Sequence, residues 1–212
     1  MRLPNLKEEK KLWKKGFKMV VGLDEAGRGP LAGPVTAGAV MLRKISNSKF
    51  PIPKELLKIK DSKKLSPKQR ERFYKILIKH PIIEWGIGKV SEKVIDKINI
   101  LEATKLAMEK AIANLRHKPD FLILDGNFRI DSLIPQKSII KADQKVFSCS
   151  AASIIAKVFR DRIMEKYHKK YPRYGFKKHK GYPTKFHFRM LKKYGPCKIH
   201  RKTFRPVKGL ST

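Results

Sequence analysis

Residues 19–30 read MVVGLDEAGRGP, and this stretch decides the fold. Its apolar run, residues 19–23, predicts a buried strand that stops at the acidic pair Asp24 and Glu25. A turn rich in Gly and Pro follows, and a second apolar strand is predicted over residues 35–42. The two strands are close enough along the chain to pair antiparallel, so they begin a sheet whose first strand ends in carboxylates.

The rest of the chain alternates between helix and strand patterns. Ser66, Pro67 and Gln69 have the spacing of a capping box and predict a helix that ends near His80. Further strands are predicted over residues 82–90, 121–124 and, more weakly, 138–142, and further helices over residues 100–116, 148–163 and after Thr184. Ser91 and Asn99 are typical N-cap residues.

This alternation, with no linker between two cores, predicts one α/β domain. We divide it into a basic lead-in (residues 1–17), a core (residues 18–166) and a helical or irregular basic C-terminal extension (residues 167–212). The extension is expected to pack on the same domain and to contact substrate.

The charge balance points to a polyanionic partner. The 212 residues include 51 Lys and Arg against 18 Asp and Glu, a formal net charge of +33. Such a surface collects nucleic acid by counterion release, although a biased base composition or a hot habitat also enriches Lys. No run of about 18 apolar residues is present to span a membrane, and residues 1–18 lack the apolar core of a secretory signal. We therefore expect a cytoplasmic protein with no membrane partner.

Acidic residues are scarce, so the acids that follow apolar strands are informative. Asp24, Glu25, Asp125 and Asp143 are placed in this way. If their strands are neighbours that end at one edge, the four carboxyl groups converge. Oxygen ligands without His or Cys select Mg²⁺ or Mn²⁺, and two such ions about 4 Å apart can clamp a scissile phosphate. The pattern predicts phosphodiester hydrolysis.

Simpler explanations exist for each acid taken alone. A single strand-end carboxylate is more often a turn residue or a surface partner of Lys. Asp161 follows Lys157 by four residues, which an ion pair on a helix explains, and Asp61 is expected to cap the next turn. A non-enzymatic basic protein that binds duplex or ribosomal RNA is the alternative, but such a protein has no reason to place four acids against its polyanion.

Several motifs, in order along the chain, resemble those of bacterial ribonuclease HII. They are GLDEAGRGPLAGPV (22–35), DSKKL (61–65), LDGN (124–127), KAD (141–143), AASIIAKVFRD (151–161), HKGYPT (179–184) and GPC (195–197). The resemblance extends from residue 20 to residue 207.

The resemblance implies an RNase H-like mixed sheet flanked by helices and a monomeric nuclease. It implies cleavage of the RNA strand of RNA/DNA hybrids and cutting 5′ of ribonucleotides embedded in duplex DNA, which leaves 3′-OH and 5′-phosphate ends and serves ribonucleotide removal. Asp24, Glu25, Asp125 and Asp143 take the positions of the catalytic acids that bind Mg²⁺ or Mn²⁺.

The same resemblance assigns substrate-binding residues. The backbone of Gly27, Arg28 and Gly29 reads the 2′-hydroxyl at the RNA-to-DNA junction, which is the group that distinguishes RNA from DNA there. Tyr182 stacks on the adjacent deoxyribose. Ser62 and Lys63 are expected to hold backbone phosphate.

Overall fold

The apolar segment that follows residue 18 forms the central strand of one mixed sheet. In the computed structural model, which describes residues 3–43 and 52–210, this sheet has five strands. They are β1 (Met19–Ala26), β2 (Val35–Arg43), β3 (Ile83–Val90), β4 (Phe121–Asp125) and β5 (Gln136–Ile139). The order across the sheet is β3-β2-β1-β4-β5. Neighbours are antiparallel from β3 to β1 and parallel from β1 to β5, which confirms the predicted antiparallel pairing of β1 with β2.

Six α-helices are found among the described residues. They are α1 (Lys7–Lys14), α2 (Pro67–Lys79), α3 (Glu92–Ala113), α4 (Phe147–Lys170), α5 (Phe176–His179) and α6 (Lys185–Tyr194). Helix α3 packs on one face of the sheet, against the side of β1 that carries Val21 and Leu23. Helices α2 and α4 cover the other face. The predicted α/β architecture, a mixed sheet flanked by helices, is confirmed.

The start of α4 lies very close to the sheet. A Cβ atom on Gly22 would lie 2.4 Å from the backbone nitrogen of Cys149, and one on Gly38 would lie 2.5 Å from the carbonyl oxygen of Ala152. The start of α4 can therefore approach the sheet closely because the sheet has glycine at these two positions. The Ala- and Ser-rich sequence of that helix start predicts this close approach.

The capping predictions are largely confirmed. Ser66 and Gln69 form a complete capping box at the start of α2, and the Thr184 side chain accepts from the His187 amide at the start of α6. Asn99 accepts from the amides of Leu101 and Glu102 within α3, where its own backbone is non-helical. Ser91 stands at the N-cap of α3 without a side-chain capping bond.

The last predicted strand is shifted. It was expected over residues 138–142, but β5 ends at Ile139, and Asp143 lies in a 3-10 turn (Ala142–Gln144). Lys141 has φ 58°, a left-handed conformation that cannot continue a strand. The amide of Ala142 donates to Asp125 Oδ1 at 2.7 Å, so the turn is held against the end of β4.

The boundaries of the predicted lead-in and extension do not coincide with element boundaries. Helix α1 lies within the lead-in, and α4 continues through residue 166 to Lys170. Residues 1, 2, 211 and 212, at the ends of these two segments, lie outside the described residues. Within residues 3–43 and 52–210, every helix is too short or too polar to cross a membrane.

Helix α1 is attached to the core by the apolar side chain of Leu12 and by one buried carboxylate. Glu9 has no exposed surface, and its Oε1 accepts from the amide of Ser148 at 2.9 Å and from the Ser148 hydroxyl at 2.8 Å. The first amides of a helix have no partner within the helix. Glu9 thus caps α4 from a distant part of the chain.

We expect Glu9→Ala to lower the free energy of unfolding by about 1–3 kcal/mol, because it leaves buried donors of Ser148 unpaired. Glu8→Ala is the matched control, since Glu8 forms surface ion pairs with Lys11 and Lys137, which contribute under about 1 kcal/mol. Urea unfolding measures both variants. Equal losses would show that Glu9 does not anchor α4.

Candidate metal centre and nucleic-acid interface

Three of the predicted acids meet at one edge of the sheet. Asp24 is near the end of β1, Asp125 is the last residue of β4, and Asp143 lies in the 3-10 turn before α4. One carboxylate oxygen from each lies within 4.8 Å of the other two. Asp24 and Asp143 are buried, and Asp125 is half-buried.

Strand alternation explains which acids meet. Successive side chains of a strand point to opposite faces of the sheet. Val20 and Ile123 pack together with Cys149 of α4, so Asp24 and Asp125, an even number of residues further on, face α4 as well. The turn that carries Asp143 leads directly into α4. The three acids therefore share one face.

Glu25 lies on the other face of β1 and is not within the group of three. Its Oε1 is 3.6 Å from Arg28 Nη1, so Glu25 forms an ion pair with the first cation of the loop that follows β1. The prediction that four carboxyl groups converge is thus met by three aspartates with Glu25 beside them. Burial raises the pKa of Glu25, and the charge of Asp125 adds to the effect.

Burial and mutual repulsion disfavour the ionised forms of the three aspartates. Burial raises the pKa of Asp24 well above its ordinary value, and the charges of Glu25, Asp125 and Asp143 raise it further. Burial, followed by the charges of Asp125 and Asp61, raises the pKa of Asp143 to about 6. The pKa of Asp125 is raised mainly by burial. A bound cation would stabilise the ionised carboxylates of such a group, because it offsets their mutual repulsion.

Asp61 and Lys63 border the aspartates. Asp61 Oδ1 accepts from the Lys63 amide at 2.9 Å, which confirms the predicted cap, and Asp61 Oδ2 accepts from Gln144 Nε2 at 3.4 Å. Burial opposes the charge of Lys63, but the carboxylates of Asp24, Asp61, Asp143 and Glu25 outweigh it, so the pKa of Lys63 is raised. Sequence reasoning missed the approach of Asp61 to Asp143, because Gln144, which links them, follows Asp61 by 83 residues.

Ser62 is also at this edge, but it is buried, and its carbonyl accepts from Arg70 Nη1 at 2.8 Å. Of the predicted pair Ser62 and Lys63, only Lys63 is exposed.

Gly27, Arg28 and Gly29 lie together with Tyr182. Arg28 and Gly29 are exposed, and a Cβ atom on Gly29 would lie 3.9 Å from Cε1 of the Tyr182 ring. Gly27 has φ +102°, and a Cβ atom there would lie 2.1 Å from Arg160 Nε, so only glycine fits. The turn Gly181–Pro183 leaves Tyr182 38% exposed, with Lys157 Nζ 5.8 Å from its ring centroid. Two distant motifs of the sequence thus share one surface.

The donor set of the acidic group suits a hard divalent cation. Its ligands are carboxylate oxygens alone, which is the chemistry that Mg²⁺ and Mn²⁺ prefer. The pKa values, raised by burial and then by the neighbouring carboxylates, give the same indication, because a bound dication favours the ionised carboxylates.

Comparison with known proteins gives close relatives along almost the whole chain. A ribonuclease HII from Chlamydia muridarum is 55% identical over 195 residues, which are 92% of this chain and 86% of that protein. A ribonuclease HII from Bacillus velezensis is 51% identical over 196 residues, 92% of this chain and 73% of that protein. The crystal structure of ribonuclease H2 from Pyrococcus horikoshii aligns with a TM-score of 0.71 at 32% identity and covers 91% of this chain and 96% of that one.

The mixed sheet, its flanking helices and these likenesses define an endoribonuclease of the RNase H type. The family model described as ribonuclease HII matches residues 21–207. The chain belongs to the ribonuclease HII family, as the motifs of its sequence indicate.

We expect Asp143→Asn to stabilise the protein in EDTA at pH 7 but not at pH 4. The folded-state pKa of Asp143 is raised to about 6 from 3.8. Below pH 3.8 the wild-type carboxyl is protonated in both states. Between pH 3.8 and pH 6 the unfolded state releases this proton while the folded state keeps it, so stability falls across this range and the full cost is present above pH 6. The melting temperature of the variant should exceed that of the wild type by roughly 2–6 °C at pH 7.

Thermal unfolding at both pH values measures this difference, and saturating Mg²⁺ provides the control, since it should remove the advantage of the variant. An advantage of equal size at pH 4 and pH 7 would contradict the electrostatic origin.

Proposed function

We propose that the protein is a metal-dependent endoribonuclease that hydrolyses the RNA strand of RNA/DNA hybrids and cuts 5′ of ribonucleotides embedded in duplex DNA. The products carry 3′-OH and 5′-phosphate ends, and the reaction serves ribonucleotide removal from DNA. The observation that carries the proposal is the group of three aspartates within 4.8 Å on a chain with a net charge of +33. A protein that only binds nucleic acid would gain nothing from buried acids that repel phosphate.

Asp24, Asp125 and Asp143 would hold Mg²⁺ or Mn²⁺, with Glu25 beside them as the fourth acidic group. A divalent cation bound there supplies a Lewis acid that activates water and stabilises the leaving oxygen. The protein residues hold this position preformed: the Ala142 amide fixes Asp125, and the Glu25 amide donates to Asp24 Oδ1 at 2.7 Å. Lys63 adds a positive charge next to the acids and is suited to hold a phosphate of the substrate.

Recognition of the RNA-to-DNA junction would rest on residues 27–29 and on Tyr182. Arg28 and Gly29 are exposed, and Gly29, which has no side chain, lets the backbone approach a ribose closely. The Tyr182 ring, whose Cε1 would lie 3.9 Å from a Cβ atom on Gly29, can pack on the next sugar. A 2′-hydroxyl on that sugar would crowd the ring, which favours a step from RNA to DNA.

A groove of about 680 Å³ beside Tyr182 would carry the duplex backbone. Its cationic lining residues are Arg70, Lys157, Arg162, Lys177, Lys178 and Lys180. Its three acidic residues are each paired with one of these cations, so the groove keeps a net positive charge. Phosphates are contacted in this way without sequence preference.

We propose that residues 167–212, which supply part of this lining, form a substrate-contacting extension of the catalytic core.

The proposal also covers the oligomeric state and the cellular location of the protein. We propose a monomer that acts in the cytoplasm, because a nuclease for duplex DNA that contains ribonucleotides needs access to the chromosome. The alternative, a non-enzymatic binder of RNA, shares the basic groove but assigns no task to the aspartates.

We expect Asp24→Asn, Glu25→Gln, Asp125→Asn and Asp143→Asn each to reduce cleavage of an RNA/DNA hybrid by more than about 100-fold, while hybrid binding persists or strengthens. The variants remove negative charge that holds the cation and repels phosphate. Initial cleavage rates and fluorescence anisotropy measure the two effects.

Asp131→Asn, at an exposed acid outside the group, is the control and should cleave at the wild-type rate. Full activity in the four variants would exclude the assignment. Circular dichroism would show whether a lost activity reflects lost folding.

We expect Tyr182→Ala to lose the preference for a lone ribonucleotide over a continuous hybrid. Stacking on an aromatic ring contributes roughly 1–3 kcal/mol, which corresponds to about a five- to hundredfold lower rate at the junction. Tyr182→Phe keeps the ring and should keep the preference. Cleavage rates on both substrates measure the ratio, and an equal decrease on both would make Tyr182 a packing residue.

A further inference from the structure

Two arginines are fully buried without a carboxylate partner. Arg160 in α4 and Arg201 near the C-terminus have no exposed surface. Among residues 3–43 and 52–210, no carboxylate oxygen lies within the 4.0 Å ion-pair distance of either guanidinium. Removing a charge from water is costly, so these two side chains must be held by strong interactions of another kind.

Both guanidinium groups donate to backbone carbonyls of the loop between β1 and β2. Arg201 Nη1 donates to the carbonyl of Arg28 at 2.8 Å, Nη2 donates to the carbonyls of Gly27 and Gly33, and Nε donates to Gly33 at 3.0 Å. Arg160 instead donates to the carbonyls of Ala32, Pro34 and Lys180 at 2.9–3.0 Å. Only Arg201 contacts the carbonyls of residues 27 and 28.

This contact decides where the amides of the loop point. In a trans peptide, the C=O of one residue and the N–H of the next point in opposite directions. The carbonyls of Gly27 and Arg28 are turned inward to Arg201, so the N–H groups of Arg28 and Gly29 are turned outward. Both residues are exposed, and neither amide has a hydrogen-bond partner in the described part of the chain.

The charge of Arg201 also polarises the two peptides. Burial lowers the pKa of Arg201 to about 9, so the group stays protonated at neutral pH. A cation on the carbonyl side of a peptide draws electron density towards the oxygen and makes the N–H a better donor. Lys carries its three N–H donors on one nitrogen and could not reproduce the bonds that the Nε, Nη1 and Nη2 atoms of Arg201 make to three separate carbonyls.

We propose that Arg201 is a positioning residue that holds the outward amides of Arg28 and Gly29 as a preformed donor pair for the ribose 2′-hydroxyl. The inference rests on the proposed function, in which residues 27–29 read this hydroxyl. Arg201 lies 172 residues beyond Gly29 in the sequence and acts from beneath the loop, without touching the substrate.

The test compares binding of two duplexes in EDTA, which prevents cleavage. One duplex has a single ribonucleotide, and the other has deoxyribose at the same position. The wild type should prefer the first, and Arg201→Lys should reduce this preference by about tenfold, as expected for lost hydrogen bonds. Its affinity for the all-DNA duplex should change less than about twofold, because the cationic groove is intact.

Arg160→Lys is the matched control, since it is an equally buried guanidinium with three carbonyl bonds but none to residues 27 and 28. It should lose stability while it keeps more of the preference than Arg201→Lys. An unchanged preference in folded Arg201→Lys overturns the inference. Absence of any preference in the wild type would instead overturn the proposed function.

If Arg201→Lys does not fold, hydrogen exchange on the wild-type protein tests the inference instead. The amides of Arg28 and Gly29 should be protected when the duplex with the ribonucleotide binds, and should be protected less by the all-DNA duplex. Equal exchange with both duplexes would overturn the inference.

Discussion

Three carboxylates within 4.8 Å of one another, two of them buried and one half-buried, are the constraint on which this structure depends. Their repulsion opposes folding at neutral pH unless a cation is present, and it is tolerated because strands, a turn and a helix start hold each acid separately. Asp24 and Asp125 face the same helix because β1 and β4 are parallel neighbours with Leu23 beside Leu124. The surrounding chain supplies a large positive charge, and Lys63 brings part of that charge to the acids themselves.

The residues proposed to cleave the substrate and those proposed to recognise it are connected through the loop between β1 and β2. The loop between β1 and β2 begins at Gly27, directly after the strand that carries Asp24 and Glu25. It is bonded to distant segments on its other side. The amide of Leu31 donates to Gly181, that of Gly33 to Ile199, and that of Arg201 to Leu31. Gly181, Ile199 and Arg201 therefore help to fix the loop that would contact the ribose, and Tyr182 follows Gly181 to the same surface.

Much of this arrangement was predictable from local pattern. The apolar run at residues 19–23 predicts β1, the spacing of Ser66 and Gln69 predicts the start of α2, and strand-end acids predict Asp24 and Asp125 in one group. Three features were beyond local reasoning. Alternation within a strand that continues to Ala26 separates Glu25 from Asp24, and a left-handed residue at Lys141 moves Asp143 into a turn. The burial of Glu9 in α1 depends on a contact with Ser148, 139 residues away.

The most direct test uses one duplex of DNA that contains a single ribonucleotide, labelled at the 5′ end of the ribonucleotide strand. Incubated with the protein and Mg²⁺ or Mn²⁺, it should be cut once, on the 5′ side of the ribonucleotide, with a 3′-OH on the labelled product, and EDTA should abolish the cut. Tight binding without cleavage in either metal would contradict the account and favour a basic binding protein. Cleavage that persists in EDTA would contradict the assignment of the aspartates.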